Sequence, residues 1–330
     1  MLLLSRKDIF SVFSMKDAIE VDKKAFVAHS QGLAQVPLRI NLDNDKKDGK
    51  ISFMPAYVGG GLNMAGIKIV SCFTGNPKKG LPVIPATMAL IDGDTGVVCA
   101  IIDGTTLTQL RTAAVSGAAA ELLANPDASV GALFGTGGQA TAQLEALMTA
   151  RPLKEVRIFD IMQEHISSFI ERNRAAADKH SCRLVAAASP KEAVTGADVI
   201  TTVTISATPT FDAADVKPGA HVTGVGSYTP DKRELPEELL AKAGAIFVDN
   251  REAVFAEAGD FIIPMKEGRF SKDNVRGELG ELLLGKVKGR QSHDEITVMK
   301  TVGFATLDVV AAAEIYKKAK AAGAGTEIEF

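Results

Sequence analysis

Val130-Gly131-Ala132-Leu133-Phe134-Gly135-Thr136-Gly137-Gly138-Gln139-Ala140 is the stretch whose reading decides the fold class. An apolar run of strand type enters the pattern Gly-x-Gly-x-x-Ala, with Gly135, Gly137 and Ala140 at the three marked positions, and a helix-forming segment leaves it. The first glycine permits a tight strand-to-helix turn, the second lets backbone approach a pyrophosphate, and Ala140 is small enough for close helix–strand packing. The helix start, with Thr136, Gly138 and Gln139 around it, offers free N–H groups and the positive end of a dipole to phosphate. The next strand, 156–159, ends at Asp160, 20 residues beyond Ala140. An acid there takes the ribose hydroxyls of a dinucleotide and repels a 2′-phosphate. Ile161 follows it, and no arginine stands beside it, so NAD(H) is expected over NADP(H). Asp160 can also cap the next helix, and both roles can hold at once.

Working outward, the segment from Ser129 onward alternates strands with helices. A helix runs to about Ala150; then come helix 162–178, strand 184–186, helix 190–196, and strands at Val199–Thr202, His221–Gly224 and Ala245–Val248. That alternation predicts a parallel sheet covered on both faces. The first hundred residues differ. A short strand, Leu2–Leu4, precedes a helix with Ser14 and Asp17 as cap and first-turn acid. Short β-rich runs at 39–42, 50–54, 65–72, 86–91 and 97–102 are separated by turn signals at 43–49 and 92–96, which predicts an antiparallel or mixed sheet. An Ala-rich helix at 108–123 follows. Residues 300–320 read as a last helix and 321–330 as a frayed tail. The expected fold class is α/β.

Composition narrows the function classes. The 330 residues carry 37 Lys+Arg against 40 Asp+Glu, a net charge of −3, so no basic footprint for nucleic acid or an anionic membrane is present. Cys72, Cys99 and Cys182 are far apart, which suggests neither a zinc site nor a disulfide framework. No metal site is expected. No apolar run reaches about 18 residues, and the first residues lack the order of a signal peptide; a cytoplasmic protein is expected. His29, His165, His180, His221 and His293 are scattered without a metal or nucleophile motif. Ser116-Gly117 and Gly226-Ser227 do not form a nucleophile elbow, so hydrolase chemistry has no support. The lysine pairs at 23–24, 46–47, 78–79 and 317–318 read as solvated faces.

Several blocks together resemble the ornithine cyclodeaminase/mu-crystallin family. They are Ala65-Gly66-Ile67-Lys68-Ile69-Val70-Ser71, Gly75-Asn76-Pro77, Gly80-Leu81-Pro82, Asp103-Gly104-Thr105, Leu110-Arg111-Thr112-Ala113-Ala114, the phosphate loop itself, 226–235, Glu257-Ala258-Gly259-Asp260 and Lys300-Thr301-Val302-Gly303. The resemblance implies NAD(P) dependence, a Rossmann dinucleotide-binding domain at 119–304, and an α+β substrate-binding and dimerisation domain made of 1–118 plus 305–330. It also implies a homodimer. Composition alone gives no reason to return the C-terminus to the first domain.

The resemblance further implies that Arg39, Lys68 and Arg111 surround the carboxylate of a small amino or imino acid. The chemistry fits the residue types: arginine offers a planar fork to a carboxylate. A lysine inside Gly66-Ile67-Lys68-Ile69-Val70 is costly to bury unpaired, and burial can depress its pKa enough for proton transfer. Met54 lines the pocket or packs the core. Thr112, at the start of the Ala-rich helix, is implied to lie against the cofactor. Thr202 ends a strand at the edge where a Rossmann ligand lies, with ordinary strand packing as the alternative. Gly303 is implied to sit beside the nicotinamide.

One stretch departs from the family. The cyclodeaminases carry an aspartate in a Gly-x-Asp-x-Pro stretch before a Glu-Leu pair. Aligning on Pro230 and Glu234-Leu235 puts Tyr228 at that place, with Asp231 three residues later. Asp231 then serves either in proton handling or as the cap of a short helix after Pro230. Cyclodeamination needs a base for the distal amine. Imine reduction or amino-acid oxidation needs a carboxylate clamp, a proton donor (Lys68, Tyr228 or Asp231) and a hydride. The expectation is therefore an NAD(H)-dependent oxidoreductase acting at a C–N bond. The alternatives are ornithine cyclodeaminase, with NAD recycled, or a non-catalytic NAD(P)H-binding protein of the mu-crystallin kind.

Overall fold

The computed structural model describes residues 1–44 and 49–329. The turn read at 43–49 and the lysine pair at 46–47 lie wholly or partly outside the described residues. In chain order the first elements are β1 (Leu2–Leu4), α1 (Arg6–Val12), α2 (Met15–Ser30), β2 (Ala34–Gln35), β3 (Ile40–Asn44), β4 (Gly49–Val58) and β5 (Met64–Phe73). Then come β6 (Ala86–Asp92), β7 (Val98–Asp103), α3 (Gly104–Leu123), β8 (Val130–Phe134), α4 (Ala140–Ala150), β9 (Glu155–Phe159), α5 (Gln163–Lys179), β10 (Arg183–Ala186) and α6 (Pro190–Val194). The rest are β11 (Val199–Thr202), β12 (His221–Gly224), α7 (Glu237–Lys242), β13 (Ala245–Val248), α8 (Arg251–Glu257), α9 (Gly259–Lys266), β14 (Gly277–Glu278) and α10 (Leu279–Leu283). The chain closes with β15 (Thr297–Lys300), α11 (Ala305–Ala322) and β16 (Thr326–Glu327). Two compact units result, one from Met1–Thr112 with Phe304–Phe330, the other from Ala113–Gly303.

In the first unit the sheet order is β16-β1-β7-β6-β5-β4-β2, with β3 also on β4. The sheet is mixed: β1 runs parallel to β7, and the other pairs are antiparallel. Strand alternation sends Leu2, Leu4, Met54, Ala56, Met88, Leu90, Ala100 and Ile102 to one buried face. Helix α11 packs over β4, β5 and β6 on that face and against α1 and α2. The opposite face keeps Ile40, Leu42 and Ile69 exposed. Ser14 caps α2: its hydroxyl accepts from the Asp17 N–H while the Asp17 carboxylate accepts from the Ser14 N–H, a capping box.

Three expectations need correction here. Residues 300–320 are not one helix: Thr297–Lys300 is a fully buried strand, and the helix begins only at Ala305. A strand of four residues before a helix is too short to carry a period that separates the two. The tail is not frayed over its described length, because β16 pairs antiparallel with β1, after Gly323 ends α11 in a left-handed cap. Helix α3 begins at Gly104, so Thr112 sits in its interior rather than at its start.

In the second unit eight strands run parallel in the order β10-β9-β8-β11-β12-β15-β13-β14. The order reverses direction at β8/β11, the switch point of a doubly wound sheet, where a ligand crevice opens outside the carboxyl ends of the strands. Strands β8, β11, β12, β13 and β15 are buried along nearly their whole length, as helices on both faces require. The glycine-rich turn therefore emerges at the edge of the sheet where such folds take nucleotides.

Candidate functional site

The phosphate loop is built by backbone. Gly135 leaves β8 at φ +101°, a region L side chains rarely adopt, and a Cβ there would meet the Val203 carbonyl oxygen at 2.8 Å. Cβ atoms on Gly137 or Gly138 would instead meet nothing within 4 Å. The space over these two residues, at the start of α4, is the kind of cradle a pyrophosphate fills. Gln139 is the residue before α4, and Ala140, fully buried, opens it. Asp160, at the end of β9, accepts from the Thr136 N–H at 2.8 Å and the Thr136 hydroxyl at 2.6 Å. Its other oxygen accepts from the Met162 N–H at 2.9 Å, so Asp160 also orders the entry to α5. Thr202, fully buried at the end of β11, pairs in register with Phe134 and leaves its hydroxyl without a hydrogen-bond partner. The Gly303 N–H donates to Asp249 Oδ2 at 2.7 Å. The same oxygen accepts from the Val302 N–H at 3.1 Å and, at 2.5 Å, from the Thr301 hydroxyl. The residues present fit a dinucleotide.

The first unit holds the cations. Antiparallel register places Met54, Lys68 and Met88 side by side across β4, β5 and β6. Lys68 is fully buried. Its ammonium donates to both carboxylate oxygens of Asp308 on α11, at 2.7 and 2.8 Å. Arg111, on α3 and 5% exposed, donates from Nε to Asp308 Oδ1 at 2.9 Å. One carboxylate thus gathers two cations. Burial alone would raise Asp308, but Arg111 and Lys68 outweigh it and hold the acid below its usual range. Burial and then the neighbouring Arg111 push Lys68 down to about 7, against the pull of Asp308. Arg39 is partly buried and adds to the positive field at Lys68. Lys68, Arg111 and Met54 are thereby placed together on the sheet's buried side, and Arg39 acts on Lys68 through its charge, whereas Thr112 is interior to α3 and buried.

The loop 226–235 is set by buried acids of the second unit. Glu234 accepts from the Thr204 N–H at 2.5 Å and from the N–H groups of Gly226 and Ser227. Asp260 accepts from the Glu234 and Leu235 N–H groups at 2.7 and 2.9 Å and pairs with buried Lys300 at 3.0 Å. Tyr228 is partly buried against the core of this unit. No helix starts at Asp231, and α7 begins only at Glu237 with Pro236 at its N-cap, so the capping role weighed for Asp231 has no helix to act on. Asp231 is exposed; its carboxylate accepts from the Thr229 hydroxyl at 2.7 Å.

Sequence reasoning passes over Asp308, Asp22, Asp249, Glu234, Asp260 and Lys300. A signal existed for the first two. Asp308 interrupts an apolar run in Ala305-Thr306-Leu307-Asp308-Val309-Val310-Ala311, and Asp22 stands on the apolar stripe of α2 between Ala18 and Phe26. The logic that picks out Lys68, a charge on a buried face, applies to both. Among the described residues, no group of three or more His, Cys, Asp or Glu side chains is placed to hold a metal ion. Nor is any helix among them long and apolar enough to cross a membrane.

The sequence model of the ornithine cyclodeaminase/mu-crystallin family matches residues 1–323. The chain belongs to that family. Delta(1)-pyrroline-2-carboxylate reductase of Bacillus cereus is 33% identical over 330 residues, the whole of both chains. The structure of Thermococcus litoralis Delta(1)-pyrroline-2-carboxylate reductase in complex with NADH and L-proline superposes with a TM-score of 0.94 at 36% identity, over 99% of this chain and 100% of that one. An archaeal alanine dehydrogenase dimer with bound NAD superposes with a TM-score of 0.91 at 32% identity, over 100% and 99% of the two chains. The two solved structures carry a nicotinamide cofactor on the α/β fold described above.

Proposed function

We propose that the protein is an NAD(H)-dependent oxidoreductase acting on the C–N bond of a small imino or amino acid. The cyclic ketimine pyrroline-2-carboxylate is the first substrate to try. The observation that carries the reading is the buried pair of cations, Lys68 and Arg111, organised by the single carboxylate of Asp308. A purely structural ion pair needs one cation per acid; a surplus cation in a dry site asks for a second anion. The substrate carboxylate is that anion. Lys68 and the guanidinium of Arg111 hold it, with Arg39 and Met54 at its margin. Lys68, with a pKa near neutrality, is the group suited to give a proton to the imine nitrogen or to take one from an amine. Tyr228 and Asp231 are the second choices for that proton.

In the other unit, the loop from Gly135 to Ala140 takes the pyrophosphate, Asp160 the ribose hydroxyls, and Thr202 and Gly303 the remaining cofactor contacts, while Thr112, implied to lie against the cofactor, belongs to the first unit. A bound nicotinamide supplies the hydride in reduction or accepts it in oxidation. NAD(H) is preferred over NADP(H) because Asp160, with Ile161 after it, offers a 2′-phosphate a negative charge and no cation. A homodimer is supported by the apolar row on the open face of the first sheet, where exposed Ile40 and Ile69 flank half-buried Phe53 in register across β3, β4 and β5.

The deciding assay follows NADH absorbance with pyrroline- or piperideine-2-carboxylate, and NAD reduction with alanine or proline. Ammonia and proline are measured in parallel from ornithine plus NAD. Net NADH turnover is the expected result. Proline and ammonia without net NADH would make the protein a cyclodeaminase. Tight NADH binding without turnover of any of these would favour a binding protein of the mu-crystallin kind.

A further inference from the structure

Asp22 lies on α2, fully buried, on the stripe that packs toward α11. Neither of its carboxylate oxygens has a hydrogen-bond partner. A buried carboxylate without a donor is among the costliest groups a protein can hold, whereas a neutral carboxylic acid is tolerable. The charged groups that reach it are Arg111 from α3 and Asp308 from α11, the same residues that form the cation cluster. We propose that Asp22 is a positioning residue of that cluster, a carboxylic acid that keeps its proton in the resting protein and so leaves Lys68 and Arg111 a net positive field for a substrate carboxylate. The charge count shows why this matters. Lys68 and Arg111 face Asp308, two cations against one anion. With both cations charged, an ionised Asp22 would make it two against two and remove the attraction for an incoming anion; once Lys68 has lost its proton, an ionised Asp22 would leave the site net negative.

Burial drives the Asp22 carboxyl upward, Asp308 adds to the rise, and Arg111 opposes it without prevailing. That direction, together with the lack of any donor to either oxygen, favours the protonated carboxyl. A Leu or an Asn at position 22 would be neutral at every pH. An Asp makes anion affinity fall as pH rises past the point where its proton leaves. The inference rests on the carboxylate-clamp reading above for its function, but not for the protonation itself.

The test has two arms. Infrared difference spectra of the ligand-free protein, wild type minus Asp22→Asn, should show the carbonyl stretch of a protonated carboxylic acid at neutral pH. In the wild type alone, that band should titrate away at alkaline pH. Absence of the band at neutral pH overturns the proposal whatever the clamp binds, and circular dichroism of the variant guards against misfolding. The second arm is the pH profile of KM for pyrroline-2-carboxylate with saturating NADH. The wild type should show a rise near pH 7 from Lys68 and a further rise, roughly tenfold, in step with loss of the band. Asp22→Asn should keep the first rise and lose the second. A profile of unchanged shape, merely offset, means that Asp22 only packs. No turnover of any carboxylate by the wild type refutes the clamp reading, and the infrared arm still decides the state of Asp22.

Discussion

Asp308 closes on Lys68 with both carboxylate oxygens, at 2.7 and 2.8 Å, across 240 residues of chain. Both side chains are buried, so the pair is worth most as a unit and each partner is a liability alone. Asp308→Asn leaves Lys68 and Arg111 with no anion. Removing one member of a buried pair typically costs about 3–5 kcal/mol, and urea unfolding should show a loss of that order. A loss below ~1 kcal/mol would mean that water already reaches the pair.

Lys68→Met removes the ammonium while keeping a long apolar stem beside Met54 and Met88. Charge-assisted hydrogen bonds of about 1.5–3 kcal/mol translate into a fall of roughly 10- to 100-fold in kcat/KM for the imino acid. NADH affinity, read by fluorescence titration, should stay within about twofold. The wild-type reductive rate should decline as pH rises through about 7, where Lys68 loses its proton, and Lys68→Met should lack that limb. Intact turnover in the variant would exclude Lys68 from the reaction.

Gly135→Ala places a methyl group at φ +101° and 2.8 Å from the Val203 carbonyl oxygen. Strain of about 1–3 kcal/mol is expected, together with displacement of the loop that follows. NADH binding should weaken by at least about tenfold. An unchanged dissociation constant would show that the loop does not carry the cofactor.

Asp160→Ser keeps a small polar group but removes the charge. The ratio of kcat/KM for NADH over NADPH should exceed one in the wild type and drop by about tenfold or more in the variant. Because Asp160 also accepts from Thr136 and from the Met162 N–H, some loss of stability is expected as well. A wild-type preference for NADPH would overturn the assignment of Asp160.

His221 lies fully buried in β12, with one ring nitrogen 2.9 Å from the Thr297 hydroxyl and the other 3.1 Å from the Thr223 hydroxyl. Burial, then Arg290 and Arg151, push its pKa down to about 3. The unfolded chain takes up a proton below about 6.5, whereas the folded chain stays neutral until about 3, so the unfolded state binds more protons in that window. Stability therefore falls as pH drops from 6.5 toward 3, by at most roughly 1.4 kcal/mol per pH unit from this one group. His221→Asn should flatten that dependence in urea titrations between pH 6.5 and 4. An equally steep slope in the variant would assign it to other groups.

The glycine-rich turn between β8 and α4 was legible because its geometry is local. A strand, two glycines and a helix start lie within eleven residues, and each residue's requirement is set by its immediate neighbours. Lys68 was legible as a charge inside an apolar run. Its partner was not, since Asp308 needed the same reasoning applied to a helix whose buried side is known only once it lies on β4–β6. The strand Thr297–Lys300 and the pairing of β16 with β1 escaped for a related reason. Four residues carry no decisive period, and a two-residue strand exists only because its partner stands beside it.

The amino-acid sequence by itself determined the class of fold, the glycine-rich turn after β8 with Asp160 at the end of the next strand, and the family to which the chain belongs, because those depend on short-range patterns. Only the tertiary structure decided which acid neutralises which cation, that Asp249 holds the backbone of Val302 and Gly303, and that Asp22 stands buried without a donor. Those are relations between residues up to 240 positions apart, and they become definite only when packing excludes water and forces every buried charge to find a partner or keep its proton.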